Sequence, residues 1–537
     1  MAKRSSCIGR GFFLTLSLFL FLSLILPQAF AEIHTTQEAT GTYYHVDGQT
    51  SRSFYPSNRA TFLYEGSIDF KDPLYKDSDL TLFGNINYRS TNDKLVDRKD
   101  NSIERMYFGL KGAAQEYLMG DFYSNFSEYS LGNALKGGRI VLGDDKSFRF
   151  TILGGIDTSK WEDLWEKGQE DSNSKRYVGG MRFESKFFEN KLNLNFNYGY
   201  AHDDDSSIPI SGTPTNVNVF SFDAKYKLNE YLGFYGEAAQ SFTDENTRLS
   251  TVTTKGDKAG KFGFDLNLKD YTFNTQYSRV GAHFNTTGGF SSKDLETWNL
   301  DGMWFLPAKV KFKHYLRMDS DNLEKLKSTT TRQLNPGGKF TFNLPGDVSA
   351  NMGADFRKRF STDKMTNEKT LTYTTSFGKD FGILYSTLGY NRVVVSNKIS
   401  PAQERTSDIY SLGLDGSFKV KEVKLSWNAG EDIERVAYKE AHKADLTAST
   451  SLGLKANFPS TLSLQAKTTY ANNDYYLNET DSKNRKYYFS VSRNIMRKLL
   501  KDNLAFDFTY ERNCYRYFGG DNNYAETILK GKLSYKF

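Results

Sequence analysis

The sequence predicts an all-β chain closed into one large antiparallel β-barrel of about 26 strands, with 24 as the alternative count. Three observations carry that expectation. Apolar residues recur at every second position in one segment after another. The connections between these segments alternate between short and long. Tyr and Phe are abundant, 34 and 42 residues, although 25% of the chain is charged.

The elements follow in chain order. Lys3, Arg4 and Arg10 precede a nearly unbroken apolar run from Phe12 to Leu26, and Ala29-Phe30-Ala31 follows. A basic start, an apolar stretch and a small-x-small pattern predict a secretory signal peptide over residues 1–31, cut after Ala31, with Ala29 as the other small residue. The run is shorter than the ~20 residues of a membrane-spanning helix. Residues 32–537 are then expected to form the barrel, with no plug and no linker. Without the three basic residues of the leader the formal charge is +3, and no clustered basic footprint for nucleic acid is present. Cys514 is the one cysteine outside residues 1–31, so neither an internal disulfide nor a zinc site is expected.

Strands read clearly at 79–89, 191–200, 309–316 and 461–470. In 191–200, Leu192, Leu194, Phe196, Tyr198 and Tyr200 share one face and Asn193, Asn195 and Asn197 the other. In 79–89 the polar face is broken once, by Phe83. Short turns are expected at 143–147, 188–190, 228–230, 268–270, 306–308, 344–347, 378–380, 419–422 and 458–460. Longer polar loops lie between them, among them 157–175, 202–216, 283–294 and 432–444. Counting back from the last strand (523–537) gives 25 strands down to 59–70. Closure needs an even number, which demands one more strand within 33–46.

Soluble sandwich cores are rich in Val, Ile and Leu. Here the apolar faces carry Tyr and Phe, and the opposite faces are wet. That inversion fits strands with lipid outside and water inside. On this evidence the chain resembles bacterial outer-membrane β-barrel proteins of the porin-like class. The resemblance rests on Ala29-Phe30-Ala31, the alternating strands and the closing Leu533-x-Tyr535-x-Phe537. It implies residence in a Gram-negative outer membrane among lipid and lipopolysaccharide. It also implies an assembly signal at Leu533, Tyr535 and Phe537 for the barrel-insertion machinery, and a hydrated channel for polar solutes.

Twenty-six strands ~4.8 Å apart and tilted ~40° enclose a barrel ~50 Å across, with a lumen of ~35 Å. Something must narrow such a hole. One candidate is the segment 122–138, which breaks the alternation and places Leu131 and Leu135 at the spacing of a helical turn. The other is a partner. In size the chain resembles the sheath barrels of porin–cytochrome electron conduits, which implies a multihaem cytochrome in the lumen as the alternative function. The sequence has no CxxCH to attach haem itself. Export of polysaccharide or protein is a weaker alternative.

No catalytic, cofactor or metal residue is assigned, and an enzyme is not expected. His34, His45, His202, His283, His314 and His442 stand in no hydrolase or zinc motif. His314 is the one placed to serve a triad. His202-Asp203-Asp204-Asp205 is an acidic loop that either binds a cation or is solvated. Trp161 and Trp165 either stack on sugar or anchor their loop. Lys309, Lys311, Lys313, Arg357, Arg359, Asp301 and Asp355 are the lumen-facing candidates, with Lys419, Lys421, Lys424, Asp265 and Glu237 beside them, forming a wall of mixed sign. Leu194→Asp is expected to impair assembly and Asn195→Asp to be tolerated.

Overall fold

The computed structural model describes residues 32–536, except 57, 76–77, 145, 159, 165–174, 250–253, 289–292, 476–480, 495–502 and 519–521. These residues form one 26-stranded antiparallel sheet. The first arc holds β1 (Glu32–Gly48), β2 (Arg59–Pro73), β3 (Thr81–Thr91), β4 (Asn101–Lys111), β5 (Gln115–Asn125), β6 (Gly132–Gly143), β7 (Phe148–Asp157) and β8 (Arg176–Phe187). It continues with β9 (Leu192–Asp203), β10 (Asn216–Lys227), β11 (Leu232–Asp244), β12 (Thr254–Asn267), β13 (Tyr271–Val280) and β14 (Leu295–Leu306). The second arc holds β15 (Val310–Asp321), β16 (Thr331–Leu344), β17 (Val348–Ser361), β18 (Asn367–Asp380), β19 (Leu384–Asn397) and β20 (Arg405–Val420). It ends with β21 (Val423–Tyr438), β22 (Lys443–Asn457), β23 (Leu462–Asp474), β24 (Ser482–Asn494), β25 (Asn503–Tyr517) and β26 (Tyr524–Lys536). β1 pairs with β2 and, from Thr36↔Lys536 to Gly48↔Tyr524, with β26, so the sheet has no first or last edge. A bilayer requires that closure, because lipid cannot satisfy edge amides and carbonyls.

The strand demanded by parity near 33–46 is β1. Strand existence follows the period-two pattern closely, and boundaries follow it less well. The turn expected at 378–380 lies at 381–383, and the loop expected over 432–444 shrinks to 439–442. β21 and β22 stay paired through Asp432↔Ser449 and Glu434↔Thr447. Once a strand leaves the apolar band, polarity alone no longer distinguishes it from a loop.

Exposure fixes the two faces. On β9 to β11, Asn197, Ala201, Val219, Ser241 and Thr243 are 0% exposed, whereas their neighbours Phe196, Phe220 and Phe242 are 52%, 43% and 37% exposed. The first set faces the interior and the second faces lipid. Register carries the assignment around the barrel.

The outer face bears an aromatic band at the short-turn rim, the periplasmic side in barrels of this type. Phe234, Phe264, Phe273 and Tyr271 run into Trp304, His314, Phe312, Phe340 and Phe342 with successive ring centroids 4.2–6.3 Å apart. Amphipathic and aromatic rings settle at such an interface. His314 therefore stands on the lipid side, stacked 5.4 Å from Phe312, away from any lumenal serine.

Candidate functional site: the lumen and its infolded hairpin

The lumen is shaped by the hairpin of β5 and β6. β5 pairs with β4 only from Gly120 down to Glu116, and β6 pairs with β7 only from Lys136 onward. The upper residues, 122–125 and 132–135, pair only with each other. The hairpin therefore leaves the wall and bends inward. Gly120 (φ 113°) and Gly137 stand at the bend, where a Cβ would strike the backbone of Met106 or of Gly154. No helical turn forms at Leu131 and Leu135; the segment is a β-hairpin tip, and its broken alternation reflects a change of surroundings rather than of secondary structure.

Departure of the hairpin strips partners from the upper half of β4. Side chains replace them. The Met106 amide donates to Asp121 Oδ2 at 2.6 Å and the Ile103 amide to Glu162 Oε1 at 2.7 Å. Asp121 also accepts from Trp161 Nε1 and Lys136 Nζ, both at 2.6 Å, and Lys136 lies 5.3 Å from the Trp161 ring centre. Trp161 is thus a loop anchor that seals the wall. Trp165 lies outside the described residues.

The tip, residues 126–131, seats on the inner wall at β10–β12. Tyr129 N–H donates to Glu237 Oε1 at 3.1 Å, and the hydroxyls of Ser127 and Ser221 are 3.0 Å apart. Lys261 bridges Glu128 of the tip and, at 3.4 Å, Glu237 of the wall. From the β13–β14 loop, Thr287 Oγ1 donates to Asn133 Oδ1 at 2.8 Å, and Phe284 meets Tyr129 edge-on at 5.9 Å. Two apolar clusters form beneath these contacts. Phe126, Leu131 and Leu135 pack on Leu153, Val178 and Ala201, while Tyr129 and Phe284 pack on Val217, Val219, Ala239, Ala259 and Val280. Phe83 packs against the first cluster with Tyr107, which explains its place on a polar face. The inward Val217 and Val219 were a readable signal: in NVNVFSFDAKYK the apolar positions switch from Val217 and Val219 on one face to Phe220 and Phe222 on the other.

Below the tip lies a polar cavity of about 840 Å³, lined by Arg182, Glu184, Asn195, Asp223, Lys261 and Asn274 among others. Asn195 Nδ2 donates to Asp223 Oδ1 at 2.6 Å. Asn195→Asp would set two carboxylates side by side, so that change should destabilise the inner wall rather than be tolerated.

Register places Asp301, Lys311, Lys313, Asp355, Arg357 and Arg359 on the inner face. Lys309 is not on a strand; it ends a short 3₁₀ turn at φ 59°. Lys421 likewise lies in the β20–β21 turn. Tyr315 donates to Asp355 Oδ1 across β16, over the side-chain-free Gly337. Arg357 pairs with Glu368 at 2.6 Å. Leu533 and Tyr535 lie on the outer face of β26; Phe537, Ala29 and Ala31 lie outside the described residues.

Each acidic residue of 203–205 has its own partner. Asp203 binds Arg176 at 2.7 Å and Thr215 at 2.8 Å, Asp204 turns back on Ser206, and Asp205 accepts from Thr247. Among the described residues no three His, Cys, Asp or Glu side chains converge on a metal-sized site. In the β3–β4 loop, burial opposes the charge of Asp97, but Lys160, the Lys99 amide and Ser102 outweigh it and hold its pKa down at about 2.

A closed antiparallel barrel, apolar and aromatic outside and polar within, is the fold of bacterial outer-membrane β-barrel proteins. No family model matches the chain and no curated protein matches it. Solved structures of this architecture do. The ferric enterobactin receptor of Pseudomonas aeruginosa aligns at 10% identity and TM-score 0.43, over 94% of this chain and 81% of that one. A BenF-like porin from Pseudomonas fluorescens aligns at 9% and 0.27, over 95% and 99%. The P pilus usher translocation pore aligns at 9% and 0.29, over 93% and 99%.

Proposed function

We propose that this chain is a porin-like channel that passes polar solutes through a hydrated lumen, narrowed on one side by its own β5–β6 hairpin. The observation that carries the reading is the clamped tip: Tyr129 on Glu237, Ser127 on Ser221 and Lys261 between Glu128 and Glu237 hold residues 126–131 inside the barrel. Around β15–β26 the inner face is polar and no described segment covers it, which leaves a path for water and solute. The test is ion conductance of the purified, folded protein in planar bilayers. Discrete conductance steps are expected, and silence from folded protein would overturn the reading.

The uncovered β15–β26 wall also supports a second reading, in which a multihaem cytochrome fills that space and the barrel is its sheath. That reading expects a haem protein to co-purify with the barrel from its native membrane; a barrel free of haem absorbance would sink it.

A further inference from the structure

Lumenal charge is segregated along the barrel axis on the β15–β26 side. Near the short-turn rim the inner face carries two lysine clusters. Lys313 stands directly opposite Lys339 across β15 and β16, with Lys311 two positions along. Lys419 stands directly opposite Lys424 across β20 and β21, with Lys455 diagonal to it on β22. Lys311 lies 5.9 Å from the Phe305 ring centre, and among the described residues none of the six has an ion pair. The nearest inward acids, Asp301 on β14 diagonal to Lys313 and Asp355 on β17 diagonal to Lys339, form no ion pair with them, and neither do Asp380, Asp415 and Asp507. Near the loop rim the acids are more numerous, and several cations there pair, as Arg317 with Asp319, Arg357 with Glu368 and Lys486 with Glu511.

Like charges placed directly opposite on one sheet face destabilise it. The other arc answers the problem within the chain: Arg139 pairs with Glu116, Arg149 with Glu184, Lys136 with Asp121 and Lys261 with Glu237. Among the described residues the lysine clusters have no such ion pair, which leaves their ammonium groups open to counter-charge from the lumen's contents. Two clusters on one wall, each presenting ammonium groups that turn freely on four-carbon stems, suit an anion of several charges rather than a planar monocarboxylate, which an arginine fork would hold.

We infer that the short-turn half of the β15–β26 wall is a binding site for small polyvalent anions, entered from the short-turn rim, and that the passage favours anions. This rests on the channel reading above, and the tests separate the two. Binding is measured first, by titration calorimetry of tripolyphosphate into folded, detergent-solubilised protein at low salt. Saturable binding is expected that weakens at least tenfold in the variant carrying Lys313→Gln, Lys339→Gln, Lys419→Gln and Lys424→Gln. Heat-modifiable gel mobility checks that this variant is folded. The second arm is the reversal potential under a tenfold KCl gradient. The parent should pass chloride several-fold over potassium, and the variant should lose most of that preference. Equal tripolyphosphate binding by parent and variant, no binding by either, or a parent channel that prefers potassium overturns the inference. Lysine-dependent binding by a protein that does not conduct overturns the channel reading and leaves the site standing.

Discussion

The two arcs of one barrel solve the same problem in opposite ways. On the loop side of β9–β12 the inner wall is lined by small and apolar residues, Ala201, Val217, Val219, Ala239 and Ala259, and is covered by the chain's own hairpin and loops. From β15 to β26 it is lined by Ser, Thr, Asn, Lys and acids and is uncovered by any described segment. In the first arc charges are neutralised side by side; in the second, lysines face one another across neighbouring strands. An inward-facing position is polar where it meets water and apolar where it meets protein, so the lumen's occupancy is written in its lining.

The largest test of this contrast removes the cover. Replacing residues 126–131 by a two-glycine link should raise single-channel conductance several-fold and leave the exposed Val217, Val219 and Ala239 surface prone to aggregation. Unchanged conductance would mean that the tip does not narrow the path.

Next is the outer wall. A charge on the lipid face costs up to ~2–4 kcal/mol for Lys or Arg at mid-depth and less for Asp. Leu194 lies only two residues inside the short-turn end of β9, whereas Phe196 is deeper and 52% exposed. Phe196→Asp should therefore reduce folded protein in membranes more than Leu194→Asp, and Asn193→Ser on the opposite face should have little effect. Equal losses at all three sites would overturn the face assignment.

A smaller effect separates glycines of the two arcs. A Cβ on Gly180 would lie 2.6 Å from Leu131 Cδ1 and 2.8 Å from Phe126 Cε2, whereas one on Gly430 meets the Ser451 hydroxyl at 3.1 Å and the Leu412 carbonyl oxygen at 3.6 Å. Gly180→Ala should cost about 1–3 kcal/mol of seating by overpacking, seen as noisier open-channel current; Gly430→Ala should be near silent.

The smallest effect is that of pH. Asp97 is held at about 2, below the ordinary value of 3.8, so its tie to Lys160 contributes fully above pH ~4 and is lost as pH falls through about 2. Protease protection of the β3–β4 loop should persist to pH 3 in the parent. Loss of protection already at pH 5 would show that another group governs the loop.

Much of the barrel was legible because a period of two is enforced by lipid on every spanning strand. Leu192 to Tyr200 shows it cleanly. Strand ends were less legible, since Asp432 and Glu434 satisfy a water-facing strand as well as a loop. The infolded hairpin showed itself only as a disturbance at 122–138, because helix, loop and inward-bent strand disturb alternation alike. Phe83, Val217 and Val219 marked the surface it covers, but one sequence cannot say which distant segment meets them. The contacts that clamp the tip join residues over 90 positions apart.

The seam between β1 and β26 carries a consequence for biogenesis. Ser534 donates to Glu38, and Lys532 binds it at 2.7 Å, across a separation of nearly the whole described chain. Until β26 arrives, β1 presents a raw edge, and every earlier strand can already have its neighbour. The hairpin and its apolar bed, all within β5–β14, can assemble while the sheet is still open. The barrel would then acquire its inward hairpin before it closes, and no unobstructed lumen need ever stand in the membrane.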